Sequence, residues 1–134
     1  MRVQEGEGWR WLEDPARHPF SVLVGGLGWA VELTAGEARD LQLGLSQLVR
    51  EHRGLVSQMM PEEAISLELE RGPLWMALEG DREAWEVRFV LTPAESGSRA
   101  VEGSWTAGAS AALAAALASG EAAEGLWASQ YGPS

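Results

Sequence analysis

Six glutamates alternate with apolar residues along segments that read as strands, and they are the most conspicuous groups that could do chemistry. They are Glu32, Glu68, Glu70, Glu79, Glu86 and Glu102. Paired carboxylates can act as general acids and bases or bind a hard cation. A catalytic carboxylate needs desolvation to shift its pKa, and no segment of the sequence is predicted to close over these positions. We therefore interpret the six glutamates as the solvated outer face of a sheet.

The histidines and the glycine-rich segment do not form a recognisable catalytic site. His18 lies in a predicted loop, and His52 falls on the apolar stripe of a predicted helix, where one hydrogen-bonded nitrogen would satisfy it. Two distant histidines without any cysteine make a poor zinc site. Gly25-Gly26-Leu27-Gly28 is followed by a strand pattern, which predicts a hairpin turn and not a phosphate-binding loop. We predict no catalytic, cofactor-binding or metal-binding residue, and hence a protein that is not an enzyme.

The charge balance limits the partners of the chain. Its 134 residues include 20 acidic and 10 basic side chains, for a formal net charge of −10. Such a chain repels phosphate backbones and anionic lipid, so we do not expect nucleic acid or a membrane as its partner. The first 14 residues lack the apolar segment of a signal peptide. We expect a soluble, cytoplasmic protein.

Apolar residues with a period of two predict seven short strands, and apolar residues at helical spacing predict two helices. The strands cover residues 8–12, 20–24, 29–33, 65–70, 74–79, 85–91 and 101–105. Thr34 and Glu37 form a capping-box pattern at the start of the first helix, which Pro61 ends. The second helix follows Thr106 and runs to about Ser119, with Gly120 as its stop signal.

The two halves of the chain share this plan of strands followed by a helix. Thr34-Ala35-Gly36 recurs as Thr106-Ala107-Gly108. An internal duplication explains the recurrence, and chance in an Ala/Gly-rich stretch is the alternative. We predict one α+β domain over residues 1–134, in which antiparallel sheets come from two strands-then-helix repeats. Repeat one covers about 3–60, repeat two about 62–119, and a tail covers 120–134.

Tryptophans and the Ala-rich second helix are the candidates for contacts with other molecules. Trp9, Trp11, Trp29, Trp85 and Trp105 share the apolar stripes of the strands, so we interpret them as core and not as a stacking platform for nucleic acid. Leu113 and Leu117 lie on the second helix, which is either a seam for a partner helix or a thin helix on its own sheet. Trp127 and Tyr131 lie in the tail, which either docks or remains a flexible end. Our predicted interaction surface consists of Trp127, Tyr131, Leu113 and Leu117.

Several segments resemble a known family. They are Gly6-Glu7-Gly8-Trp9-Arg10, Val24-Gly25-Gly26, Gly28-Trp29-Ala30-Val31-Glu32-Leu33-Thr34, Leu67-Glu68-Leu69-Glu70 and Val101-Glu102-Gly103-Ser104-Trp105. Over residues 3–119 the chain resembles a family of small uncharacterised cyanobacterial proteins, known as a domain of unknown function. The resemblance implies a fold similar to the Whirly and transcriptional-coactivator type of single-stranded-DNA-binding domain. It implies no catalytic residue and no cofactor, and fold similarity does not transfer function.

Two functions from different classes follow from these observations. The first is a non-enzymatic interaction or self-associating module, which binds a protein partner or forms a homo-oligomer. The alternative is single-stranded nucleic-acid binding inherited with the fold, which requires a basic groove despite the net charge. An enzyme or a small-ligand pocket would require a deep pocket that contains desolvated acids or His52.

Overall fold

Each half of the chain folds as four antiparallel strands followed by a helix. The computed structural model describes the backbone of residues 1–92 and 99–131, and the side chains of residues 1–92 and 99–119. The elements are β1 (Arg2–Gly6), β2 (Trp9–Glu13), β3 (Val22–Gly26), β4 (Trp29–Leu33), α1 (Ala35–Val56), β5 (Ile65–Arg71), β6 (Leu74–Gly80), β7 (Trp85–Leu91), β8 (Val101–Trp105) and α2 (Ala107–Tyr131). Strands β1–β4 form the first sheet and β5–β8 the second, each in sequential order. The predicted α+β class with antiparallel sheets is confirmed.

Strand β1 was missing from the sequence prediction. Only Val3 is apolar among its five residues, so no period-two pattern marks it. Its position comes from backbone pairing with β2, in which Gly6 faces Trp9 across a two-residue turn. Gly8 in that turn has a φ of 79°, which glycine adopts without steric cost.

The predicted hairpin at the glycine-rich segment is confirmed, although the turn itself is shorter than expected. Gly25 and Gly26 lie in β3, and Gly26 faces Trp29 of β4. Leu27 and Gly28 alone form the turn, where Gly28 has a φ of 80°. A two-residue connection fits the right-handed twist of the paired strands.

Helix α1 begins with the predicted capping box. The Glu37 backbone N–H donates to Thr34 Oγ1 at 3.2 Å, and the Thr34 N–H donates to Glu37 Oε1 at 2.9 Å. Two N–H groups that the first turn would leave without a partner are thereby satisfied. The helix ends at Val56, five positions before Pro61. The apolar spacing of the sequence predicts a stripe that continues to Leu55 and Met59, but Leu55 is 39% exposed and Met59 lies beyond the helix. The buried part of the predicted stripe consists of Ala38, Leu41, Leu45, Leu48 and His52.

Helix α2 is longer than predicted. It begins at Ala107, as expected after Thr106, but continues through Gly120 to Tyr131. A single glycine costs a helix interior only about 1 kcal/mol relative to alanine, and the following residues include the helix formers Ala, Glu and Leu. The predicted stop of the helix at Gly120 is therefore wrong, and residues 132–134 of the predicted tail lie outside the described part of the chain.

One hydrophobic core joins both sheets and both helices. The six strand glutamates all point away from this core and are exposed, as predicted. Ser110, on the buried side of α2, accepts a hydrogen bond from the Val87 N–H at 3.0 Å and donates to the Trp105 carbonyl at 3.1 Å. Among the described residues, neither helix has the length and the continuous apolar character needed to cross a membrane.

The two sheets meet at three rings in mutual contact, which we call the aromatic junction: Phe89 and Trp105 are stacked, and Trp29 is tilted against both. Their ring centroids lie 5.3–5.9 Å apart. Trp105 Nε1–H donates to the Gly25 carbonyl at 2.9 Å, and Trp29 Nε1–H donates to the Ser104 carbonyl at 2.9 Å. Each indole therefore reaches from its own sheet to the backbone of the other sheet.

We predict that Gly103→Ala destabilises the protein by about 1–3 kcal/mol, the usual cost of overpacking. A Cβ at position 103 would lie 2.4 Å from the Trp29 ring, which is held in place by its hydrogen bond to Ser104. Urea unfolding followed by circular dichroism measures the change. Gly54→Ala is the matched control, because a Cβ there meets nothing within 4 Å and should stabilise α1 by about 1 kcal/mol. Equal stabilisation by both changes would contradict the close packing of Trp29 on Gly103.

Candidate functional site

A groove runs between α1 and α2, and we call it the helical groove. It contains a cavity of about 310 Å³. A second cavity of about 330 Å³ adjoins the first and shares Val49, Arg53 and Trp85 with it. Each is within the volume range of sites that hold a small ligand or a few side chains of a partner.

The two walls of the groove differ in chemistry. The α2 wall is made of alanines at helical spacing: Ala111, Ala114, Ala115 and Ala118. The α1 wall carries Gln42, Ser46, Val49, Arg50 and Arg53, whose spacing places them along one side of that helix. Leu45, Trp85 and Leu117 add apolar surface between the walls. The groove is therefore apolar inside and cationic along one edge.

Arg50 and Arg53 distinguish this edge from the rest of the acidic surface. Both are exposed, and neither guanidinium makes an ion pair or a side-chain hydrogen bond with any residue whose side chain is described. Several other arginines pair with acids, as Arg88 does with Glu79 at 3.0 Å and Arg17 with Glu32 at 3.1 Å, whereas Arg39, on the same helix outside the groove, also makes no ion pair with a described side chain. The groove edge can thus accept anionic groups from outside the protein.

His52 and Trp85 close one end of the groove. The two rings lie 5.6 Å apart, and His52 Nε2 lies 2.9 Å from the Asp81 carbonyl oxygen. Because a carbonyl can only accept, Nε2 must carry the proton. This confirms the interpretation of His52 as a core-edge imidazole with one hydrogen-bonded nitrogen.

The Asp81 carboxylate orders the turn that leads into Trp85. It accepts hydrogen bonds from the backbone N–H groups of Ala84 and Glu83, each at 2.8 Å. These bonds favour the ionised form and hold the pKa of Asp81 below its ordinary value. The carboxylate therefore has a structural role in the β6–β7 turn.

The lining of the groove offers binding groups and no acid–base pair. Val49, His52, Arg53, Val56, Ser57 and Trp85 line the cavity that contains the imidazole. No carboxylate lies among them. Among the residues that the structure describes, no three His, Asp or Glu side chains cluster closely enough to hold a metal ion. The geometry can recognise a ligand that is both apolar and anionic.

The predicted interaction surface is only partly addressed by the structure. Leu113 and Leu117 have 0% and 4% of their area exposed and pack into the core of their own chain, and Leu117 also lies at the floor of the helical groove. Trp127 and Tyr131 lie in α2, but their side chains are outside the described residues. The sequence reasoning missed Arg50, Arg53 and Trp85. Their spacing beside the apolar stripe of α1 was the available signal for the two arginines.

A second polar cluster surrounds Arg99, close to the start of α1. Its guanidinium donates to Glu37 Oε1 at 2.7 Å and to the Glu32 carbonyl at 2.8 Å, and it lies 4.4 Å from the centroid of the Phe20 ring. Burial raises the pKa of Glu37, but the hydrogen bonds from Arg99 and Thr34 outweigh it, so the net pKa is lowered. We interpret this cluster as a structural link between the two halves of the chain.

We predict that Arg99→Ala removes part of this pKa depression and destabilises the fold by up to about 1 kcal/mol near neutral pH. A carboxylate with a lowered folded-state pKa stabilises the protein above its unfolded-state pKa. That contribution disappears as the pH falls through the folded-state pKa. Wild type should therefore exceed Arg99→Ala in free energy of unfolding near neutral pH. The part of this difference that comes from the ionised Glu37 should become smaller as the pH falls through the folded-state pKa of Glu37.

An NMR titration of Glu37, combined with urea unfolding at several pH values, tests this expectation. Arg17→Ala is the control, because Arg17 pairs with Glu32 and not with Glu37. A Glu37 pKa that is the same in wild type and in Arg99→Ala would contradict the assigned role of Arg99.

The chain is similar to proteins whose function is unknown. The profile of a family described as a domain of unknown function, DUF1818, matches residues 4–120. A crystal structure from Prochlorococcus sp. NATL2A, of a protein with unknown function from the DUF155 family, shares 34% identity with the chain. The similarity covers 89% of this chain and 98% of that chain, with a TM-score of 0.84. No curated protein gives a significant match.

Proposed function

The chain belongs to the DUF1818 family of unknown function, and from its geometry we propose that it is a non-enzymatic interaction or self-associating module. Its partner site is the helical groove. The observation that carries the proposal is the combination of an apolar interior with Arg50 and Arg53, which have no ion-pair partner among the described side chains.

A protein segment with apolar and acidic side chains fits this groove best. Alanines on the α2 wall let a backbone approach closely, while the half-buried Val49 and Trp85 offer apolar area. Burial of apolar area supplies affinity, at about 25 cal/mol per Å² removed from water. Acidic side chains of the partner would pair with the two arginines and fix its orientation.

The same geometry disfavours an enzyme. Catalysis by acid–base or nucleophilic groups needs at least two such groups within reach of one substrate atom. In the described groove His52 is the one titratable group other than the arginines, and Nε2 is already bonded to a backbone carbonyl. The strand glutamates are exposed on the outer faces of the two sheets, away from the groove.

Photo-crosslinking in extracts of the source organism tests the groove as the partner site. A photoreactive residue placed at Ser46, which lines the groove, should give a discrete protein adduct. Arg50→Ala combined with Arg53→Ala should weaken partner binding by about tenfold or more, which corresponds to about 1.4 kcal/mol. Quantification of the adduct against protein concentration measures the effect.

Two controls distinguish specific binding in the groove from non-specific crosslinking. The same photoreactive residue at Ser66, exposed on the second sheet, should not give that adduct. Arg39→Ala removes an exposed cation from the same helix outside the groove lining and should leave the adduct unchanged. Equal adducts from positions 46 and 66, or none from position 46, would overturn the groove as the partner site.

Single-stranded nucleic-acid binding is the second candidate, since the resemblance to the Whirly type of fold implies it. Trp75 is a half-buried ring on the outer face of the second sheet, with the Arg88 guanidinium 4.9 Å from the ring centroid. Five glutamates share the outer face of the same sheet, however: Glu68, Glu70, Glu79, Glu86 and Glu102. Because phosphate contacts dominate such binding, we rank this candidate second.

We predict that an oligothymidylate does not bind the protein even at low salt, where phosphate contacts are strongest. Fluorescence anisotropy of a labelled oligonucleotide measures this directly. Binding that appears at low salt and weakens as salt is added would reverse our ranking. Trp75→Ala would then show whether the half-buried ring on the second sheet is the contact.

A further inference from the structure

Helices α1 and α2 run antiparallel along the helical groove. Near the end of α1, the His52 ring lies 5.6 Å from the ring of Trp85, the first residue of β7. Strand β7 is in turn bonded through a backbone N–H to Ser110, near the start of α2. Near the start of α1, Gln42 Nε2 donates to the Leu117 carbonyl, further along α2, at 3.5 Å. The end of α1 therefore lies beside the start of α2.

This arrangement separates the basic and acidic residues of the two helices. Arg50 and Arg53 are near the end of α1, and so they lie beside the start of α2. Glu121 and Glu124 follow Ala118, the last alanine of the α2 wall, by about 5 and about 9 Å along the helix axis. Within one chain, the backbone places these acids and the two arginines at opposite ends of the groove.

We propose that a second copy of this chain occupies the helical groove, with the α2 helices of the two copies packed antiparallel about a two-fold axis. The inference rests on the proposed function and names the partner of that same groove. A two-fold axis beside the centre of the alanine wall places Ala118 of each copy beside Ala111 of the other. Glu121 then lies one turn beyond Ala111 of the other copy, at the end of the groove that Arg50 and Arg53 line.

Charge complementarity favours a second copy as the occupant. A chain with a net charge of −10 repels its copies through most of its surface. In the antiparallel arrangement, the cations of each groove meet acids of the other copy, and the two-fold axis makes this contact twice. Residues 107–119 of α2 carry no charge. Ala111, Ala115 and Ala118 are exposed, and such small side chains let two helices approach closely.

The area of the groove face is sufficient for a specific dimer. The stretch from Ala107 to Glu124 is about 27 Å long, and two helices side by side are about 20 Å wide. Two faces of this size bury roughly 1,100 Å², which is at the lower limit of biological interfaces. The cavities of about 310 and 330 Å³ can take up further side chains of the other copy. We expect a dissociation constant of about 1–100 µM.

Sedimentation equilibrium of the purified full chain, from about 1 µM to about 1 mM, tests the proposal. Wild type should shift from monomer to dimer as the concentration rises. Arg50→Glu combined with Arg53→Glu should weaken the dimer by about tenfold or more, while circular dichroism shows a folded protein. Arg10→Glu combined with Arg39→Glu is the matched control. It changes the net charge equally at exposed positions outside the groove lining and should leave the dimer within about threefold of wild type.

Reversal of the acids distinguishes specific pairing from general repulsion. Glu121→Arg combined with Glu124→Arg changes the net charge from −10 to −6, so general repulsion alone would predict a tighter dimer. Loss of the proposed pairs predicts a dimer that is weaker by about tenfold or more. Adding Arg50→Glu and Arg53→Glu to this variant places opposite charges together again and should return the dissociation constant to within about threefold of wild type.

Three results would overturn the second copy as the occupant: a wild type that stays monomeric over the whole range, a dimer that survives Arg50→Glu with Arg53→Glu, and a charge-swapped variant as weak as either parent. The photoreactive residue at Ser46 distinguishes this failure from failure of the proposed function. An adduct with a different protein in the extract would retain the groove as a partner site and reject only the second copy. Absence of any adduct, together with a monomeric wild type, would reject both.

Discussion

Two indole N–H groups hold the halves of this protein together. Trp105 donates to the Gly25 carbonyl and Trp29 to the Ser104 carbonyl, so each sheet supplies the donor for one bond and the acceptor for the other. Trp105 is 2% exposed, and a carbonyl left unpaired in such a place costs about 1–3 kcal/mol. The glycines on either side, Gly26 and Gly103, are the positions where the Trp29 ring comes too close for any Cβ. The angle between the sheets, and with it the placement of both helices, depends on these contacts.

Local patterns predicted the parts of the fold that local chemistry determines. The Thr34–Glu37 capping box was visible because its partners are three residues apart, and seven of the eight strands were visible because a half-buried strand alternates in polarity. Contacts between the two halves of the chain correspond to no recognisable pattern in the sequence. The Arg99–Glu37 pair spans 62 positions and the Trp105–Gly25 bond spans 80. No periodicity connects residues at that distance, so only the folded chain reveals them.

The site was harder to predict than the fold, because it also depends on contacts between elements that are far apart in the sequence. Leu113 and Leu117 sit at helical spacing, and that spacing is the same whether a helix packs on its own sheet or on a partner. Arg50 and Arg53 are ordinary residues in the sequence of α1. What makes them noteworthy is that neither forms an ion pair with a described acid, and this depends on how the other helix and the second sheet are arranged around them.

The alanines of the α2 wall have a thermodynamic consequence. An alanine side chain has no rotamer to lose when it is covered, whereas a long side chain such as arginine or methionine loses up to about 2 kcal/mol of conformational freedom. A ligand that enters the helical groove therefore meets one wall that is already rigid. The loss of side-chain conformational entropy on binding would therefore come mainly from Arg50 and Arg53 on the α1 wall. The affinity of the groove would then depend on whether the contacts that a bound molecule makes with these two side chains compensate for that loss.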